Sequence, residues 1–172
     1  NHYSPEESRI LKGYGYEIPK YKTKSFHHYK WKNIEFTTFN CFELADINAR
    51  ALFKSEVDFV VASEFNKDIS YFSNIIESSA RDLHCYFIQS NDSKFGDNRV
   101  HQPSKSETKD LVKIKGEDNA TMLTTEIDIG RLREFQILEY ELQKDDKSFK
   151  PTPPDFNKSA VESRIDACEN KD

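Results

Sequence analysis

Between Ile34 and Gln89 the apolar residues switch repeatedly between the period of a strand and the period of a helix, and this alternation restricts the folds open to the chain. Ile34-Glu35-Phe36-Thr37-Thr38-Phe39 is a half-alternating aromatic and β-branched run, the pattern of a partly buried strand. It stops at Asn40-Cys41 and gives way to Leu44, Ile47, Ala51 and Leu52 at helical spacing, which predicts a helix from Leu44 to Ser55. Val57-Asp58-Phe59-Val60-Val61-Ala62 is a short apolar run with polar borders, the mark of a buried strand of the parallel type. Tyr71, Phe72, Ile75, Ile76, Ala80 and Leu83 then follow the 3.6 period, with Asp68 or Ser70 placed to cap that helix. Cys85 to Gln89 is the strand after it. Parallel strands need crossover connections, and the two helices supply them, so an α/β layered domain is predicted.

The flanking segments carry weaker signals. Asn1 to Ser8 reads as a polar loop, and Leu11 to Ile18, with Gly13 and Gly15, as loop also. After the turn-rich Asn91 to Asn98, the stretches Arg99–Gln102, Leu111–Lys115 and Thr121–Ile129 read as antiparallel strands, and Gly130 to Leu142 as a helix. Residues 144–172, broken by Pro151, Pro153 and Pro154, read as a polar tail that wraps a partner or stays mobile, which sets the domain at 1–143. Lys20 to Lys32 interleaves lysines with Tyr21, Phe26, Tyr29 and Trp31. That mixture suits single-stranded nucleic acid, but also an exposed hairpin whose lysines guard a sheet edge.

The net charge of -5 and pI near 5.6 favour the edge reading, since an acidic chain is poorly suited to a phosphate backbone. Three scattered cysteines, Cys41, Cys85 and Cys168, form neither a disulfide framework nor a zinc-ligand spacing, so no structural metal and no cofactor is expected. No stretch is apolar for long enough to cross a bilayer and no secretory leader is visible, which reads as a cytoplasmic protein. The start at Asn1 without an initiator Met reads as a piece of a longer polypeptide.

Cys41 falls on the strand-to-helix turn. Such a turn lifts a side chain off the end of a sheet toward helix N-terminal amides, where a thiolate is favoured. Glu64, Phe65 and Asn66 follow the next strand at its carboxyl end, where open α/β sheets carry their ligands, and so are candidate substrate-side residues as well as ordinary loop formers. Cys85 reads as core. Asn91 and Gly96 read as turn formers.

These segments resemble the nitrilase, or carbon-nitrogen hydrolase, superfamily. Cys41-Phe42-Glu43 with Arg50 and Val57–Val61 is similar to its nucleophile segment. His84–Asn91, followed by Gly96-Asp97-Asn98-Arg99 and Pro103, is similar to its next strand, turn and glycine loop. Lys113–Gly116 and Glu126-Ile127-Asp128 are similar to its closing strands. The likeness runs from Asn1 to Gln136 and lies in the order of the segments.

The resemblance implies the C-terminal portion of a four-layered αββα sandwich that pairs into homo-oligomers. It also implies hydrolysis of non-peptide carbon-nitrogen bonds in a small amide or nitrile by a Glu, Lys and Cys. Cys41 takes the nucleophile position, with the Phe42 amide helping to hold the oxyanion. Glu7, or with a poorer match Glu6, falls at the accessory glutamate, and Glu43 is either close to the site or a helix-start carboxylate. The catalytic lysine and general-base glutamate would precede Asn1, since Lys12 matches poorly. A narrower likeness, from Glu64 through Tyr71-Phe72-Ser73 to Cys85, is to nitrilase-like domains fused to bacterial antiphage reverse transcriptases. The alternative is a catalytically silent module of this fold kept for oligomerisation or docking.

Overall fold

In the computed structural model, which describes residues 3–18, 25–116, 118 and 120–169, the alternating region forms the middle of a six-stranded sheet. The strands are β1 (His28–Trp31), β2 (Ile34–Asn40), β3 (Phe59–Glu64), β4 (Tyr86–Asn91), β5 (Gly96–His101) and β6 (Asp110–Lys115), and they lie in sequential order. The pairs β2–β3 and β3–β4 are parallel; the other three are antiparallel. Helices α2 (Ile47–Ala51) and α3 (Ile69–Leu83) make the two crossovers. Asp68 caps α3, its carboxylate accepting the Tyr71 amide at 3.3 Å.

The pleat divides each strand between two faces. Thr37 and Phe39, Val60 and Ala62, and Phe87 and Gln89 point to the side covered by α2 and α3, where Phe72, Ile75, Ile76, Ala80 and Leu83 complete the main core. Cys85 lies in this core, as its apolar surroundings in sequence predict. On the other side, α4 (Ile129–Ile137) covers Tyr86 and Phe59 with Leu132 and Phe135. Among the described residues no helix covers the rest of that face. It carries stacked Tyr29, Phe36 and Phe59 rings, with centroids 5.1 and 4.8 Å apart, and a cavity of about 360 Å³ lined by Ile88, Val100, Val112 and Ile114.

Four local expectations are corrected. The polar loop at the start is a helix, α1 (Pro5–Gly13), because Ser4 and Glu7 form a reciprocal capping box: the Glu7 amide donates to Ser4 Oγ at 3.1 Å, and Ser4 N to Glu7 Oε2 at 2.7 Å. Thr121 to Ile129 is not a strand, since residues 120–123 cross the second face instead of joining a sheet edge and have no ladder partner. The single helix expected over Gly130–Leu142 breaks at Leu138 into α4 and α5 (Tyr140–Asp146). Gln143 supplies what the break leaves open, its Nε2 donating to the carbonyls of Phe135 and Leu138 at 3.2 and 3.1 Å.

The stretch from Lys144, expected as a tail, packs on the body. Phe149 is in the second core, Lys150 N donates to Pro103 O at 2.8 Å, and His84 Nε2 donates to Lys150 O at 2.7 Å. Helix α6 (Lys158–Glu169) lies against α4, with Val161 and Arg164 buried. Arg164 and Arg133 of α4 flank Asp58, a carboxylate buried at the head of β3. A buried charge of this kind needs partners, and the two cations that flank Asp58 come from the segment beyond β6.

In the basic stretch, residues 28–31 are the outer edge strand β1, with Lys30 Nζ 3.0 Å from Glu35; this is the guarded-edge reading. Lys20, Tyr21 and Lys22 lie outside the described residues. No helix among the described residues is long and apolar enough to cross a membrane.

Candidate active site

Cys41 stands one residue past the end of β2. Asn40 pairs with Ser63 of β3, and at Cys41 the chain takes a φ of 43° and turns off the sheet. Left-handed backbone is strained for a residue carrying a Cβ and persists where its surroundings impose it. Glu43 is part of what imposes it here. It is buried, and its Oε2 accepts the Asn40 amide at 2.9 Å, which clamps the two ends of the turn together. Cys41 itself is half-buried and joined in no disulfide.

The expected Leu44–Ser55 helix is corrected in this region. A 3-10 helix runs from Cys41 to Ala45, and α2 begins only after Asp46, whose Oδ1 accepts the Asn48 amide at 3.0 Å. The dipole acting on Cys41 is therefore that of one 3-10 turn, weaker than the regular helix read from the spacing. Arg50 stiffens the same corner by donating to the Leu44 carbonyl, and burial lowers its pKa.

Glu64 ends β3 beside this turn and is only 7% exposed. Gln89 Nε2 donates to its Oε2 at 3.0 Å. Burial pushes its carboxyl up to about 7, against the lowering effect of that bond. Behind it lies a polar chain that sequence reasoning missed. Arg99, buried under α3, donates to Gln89 Oε1 at 2.8 Å, to Asp97 Oδ2 at 2.8 Å and to Ser73 Oγ. The signal was present in β5, where Asp97, Arg99 and His101 alternate on one face. A strand with its polar residues turned inward must pair them there.

The remaining predicted residues are placed around the turn. Phe42 is 49% exposed and borders a cavity of about 540 Å³ with Tyr3, Pro5, Phe26, Glu43, Ala45, Asp46 and Tyr71. Phe65 is 71% exposed, its ring edge-on to Phe95 with centroids 5.3 Å apart. Asn66 is a loop former: its Oδ1 accepts the Asp68 amide at 2.8 Å and its own amide donates to Asn91 Oδ1 at 2.9 Å. Asn91 ties this loop to the next by donating to Asn66 O and Gly96 O, both at 2.9 Å. Gly96 has a φ of 75°, and a Cβ there would fall 1.9 Å from Gly116 N, so the turn requires glycine. Glu7 is exposed and closes the cap of α1; it is not drawn to Cys41 in this structure. No group of three or more His, Cys, Asp or Glu among the described residues is placed to hold a metal.

A scan against protein-family models matches nothing, and no curated protein matches in sequence. Solved structures do match in fold. One is a CN-hydrolase superfamily protein of Xanthomonas campestris with an arsenic adduct in its active site: TM-score 0.55, 15% identity, covering 73% of this chain and 52% of that one. Another is the NitN amidase of Nesterenkonia sp. AN1: TM-score 0.51, 14% identity, covering 68% and 46%. A third is a variant of that amidase with the acetamide moiety of fluoroacetamide covalently added at its active-site cysteine: TM-score 0.50, 14% identity, covering 67% and 43%. These neighbours are members of the nitrilase, or carbon-nitrogen hydrolase, superfamily, and this chain has their α/β fold. It spans about half the length of the first of them.

Proposed function

We propose that the chain is the cysteine-bearing part of a hydrolase of non-peptide carbon-nitrogen bonds, of the amidase or nitrilase type. The observation that carries this reading is the strained turn at Cys41, a thiol held at the carboxyl edge of a sheet by the Asn40–Glu43 clamp. In the proposed step the thiolate forms a bond to the carbon of a small amide or nitrile, and a π-electron pair moves to its oxygen or nitrogen. The Phe42 amide helps to hold that developing charge.

Glu43 serves by holding the turn, and Glu64, Phe65 and Asn66 form the substrate side. Glu7 acts as an accessory carboxylate by exchanging its cap bond for one in the site. The glutamate that takes the thiol proton, and the lysine that steadies the tetrahedral intermediate, come from a preceding part of the same polypeptide. Beyond α4 no helix among the described residues covers the second face of the sheet, which supports a further sheet packing there, and so does a match that spans about half the length of the first neighbour. The narrower sequence likeness adds an upstream reverse transcriptase, the superfamily likeness adds homo-oligomers, and a cytoplasmic setting completes the proposal.

That same open face also favours a second reading, a silent module whose fold serves assembly. A thiol-reactive probe applied to the intact polypeptide at pH 7 separates the two. The enzyme reading expects Cys41 to label faster than glutathione and Cys41→Ala to abolish amide or nitrile hydrolysis. Labelling no faster than glutathione, with function intact in Cys41→Ala, selects the module.

A further inference from the structure

Three large rings around one hollow stay open to water. Phe42, Tyr71 and Tyr3 are 49, 48 and 43% exposed, and all three border the cavity of about 540 Å³ between the start of α1, the 3-10 helix and the first turn of α3. Phe26 lines it too and is half-buried. Two of the four rings are backed by core rings, Phe26 by Phe39 with centroids 5.5 Å apart and Tyr71 by Phe72 at 5.3 Å. The core therefore sets where they stand. Exposed aromatic surface gathered around a hollow of ligand size marks a binding site more often than it marks plain surface.

The charged part of the wall has one sign. Glu43 and Asp46 line the same cavity, and among the described residues no Lys, Arg or His does. The two acids are three residues apart, the spacing at which side chains of a 3-10 helix eclipse, so they reach the cavity together. Backbone amides fix both carboxylates, Glu43 through Asn40 N and Asp46 through Asn48 N. Arg50 lies within electrostatic reach of Asp46 and Tyr71, but it donates to the Leu44 carbonyl and lines a different cavity with Ile47 and Asp82.

We infer that this cavity binds an organic ammonium cation, its charge set against the faces of Phe42 and Tyr71 and balanced by Glu43 and Asp46. Ring faces carry negative quadrupole charge and attract a cation, and an ammonium that bears carbon substituents also covers apolar surface. A carboxylate or phosphate ligand would be repelled by the two acids. A neutral apolar ligand would cover the rings but would take the acids from water without compensation. Cys41 is not among the lining residues, so the inference stands apart from the reading of that thiol as a nucleophile.

Choline and its neutral isostere dimethylbutanol, in which carbon replaces the charged nitrogen, are titrated with the intact polypeptide at pH 7. Dissociation constants are read from the NMR signals of their methyl protons. Choline is expected to bind about tenfold more tightly, the range of a cation–π contact aided by carboxylates. Tyr71→Leu keeps apolar bulk and loses the π face, and Asp46→Asn loses the charge while keeping a residue that caps α2. Each should weaken choline about five- to tenfold and leave the isostere unchanged, whereas Tyr71→Phe should bind choline as the wild type does. Cys85 is fully buried, so its protection from thiol reagents shows that a variant is folded.

Equal constants for the two probes, or no saturable binding of choline, overturn the assignment. So does choline binding that survives both Tyr71→Leu and Asp46→Asn with Cys85 protected, since the cation is then held elsewhere on this acidic chain. The wild-type ratio decides the question even where a variant fails to fold.

Discussion

Arg133 of α4 holds Asp58 of β3 in a two-pronged grip, Nε to Oδ1 at 2.8 Å and Nη2 to Oδ2 at 2.6 Å, with both side chains buried. The same carboxylate accepts the Glu35 amide at 2.8 Å, so one acid joins the heads of β2 and β3 to a helix 75 residues further on. Arg133→Ala leaves this buried charge with the Glu35 amide and the more distant Arg164, and should cost about 3–5 kcal/mol in chemical denaturation. Asp58→Asn combined with Arg133→Ala should cost less than the two single changes summed, because the second removes a partner already lost.

Cys41 is predicted to trade stability for reactivity. At a φ of 43° glycine is less strained than cysteine, so Cys41→Gly should stabilise the protein by up to about 1 kcal/mol while removing the thiol. A melting curve checks the first outcome and loss of labelling the second. A variant less stable than the wild type would show that the Cys41 side chain packs better than its backbone suggests.

Glu64 should shape the pH dependence of stability. Its folded carboxyl lies near 7, above the unfolded value of about 4.5, so the native state holds the proton more tightly. Its contribution is fully present below about pH 4.5 and lost as pH rises through about 7, with a ceiling of about 3 kcal/mol. Glu64→Gln should therefore match the wild type near pH 4 and exceed it at pH 8 in denaturant melts. Equal stabilities at both pH values would show that Glu64 is solvated in the native state.

Removing residues 144–172 should unfold the chain instead of trimming it. The cut takes away buried Phe149 and Val161, and Arg164 with its bond to Ser55 O at 2.6 Å. Loss of cooperative melting in the truncated polypeptide is the expected result. A retained sharp transition would restore the tail reading.

How much was legible differs by element. The β2-to-β4 alternation announced itself because hydrophobic periodicity is local: Phe39, Val60 and Ala62 carry their own period, and Asp68 its own cap. The turn at Cys41 was visible for the same reason, since one period stops there and another starts. The capping box of Ser4 and Glu7 was equally local, and the proline between them disguised it as loop. The Asp58–Arg133–Arg164 cluster and the Glu64–Gln89–Arg99 chain were not legible, because their members come from elements far apart in sequence and none of them alone names its partner.

The sequence by itself determined the strands and helices near the site and put Cys41 on a turn, because period, cap and turn chemistry act over a few residues. Tertiary structure alone decided that the turn is clamped by Glu43 and that the stretch from Phe149 to helix α6 packs on the body. It also decided that Glu64 is buried at the end of β3 with one oxygen paired to Gln89 and the other without a partner among the described residues. Burial and partnership depend on which distant segments meet, and those meetings set both the cost of a charge and the chemistry open to it.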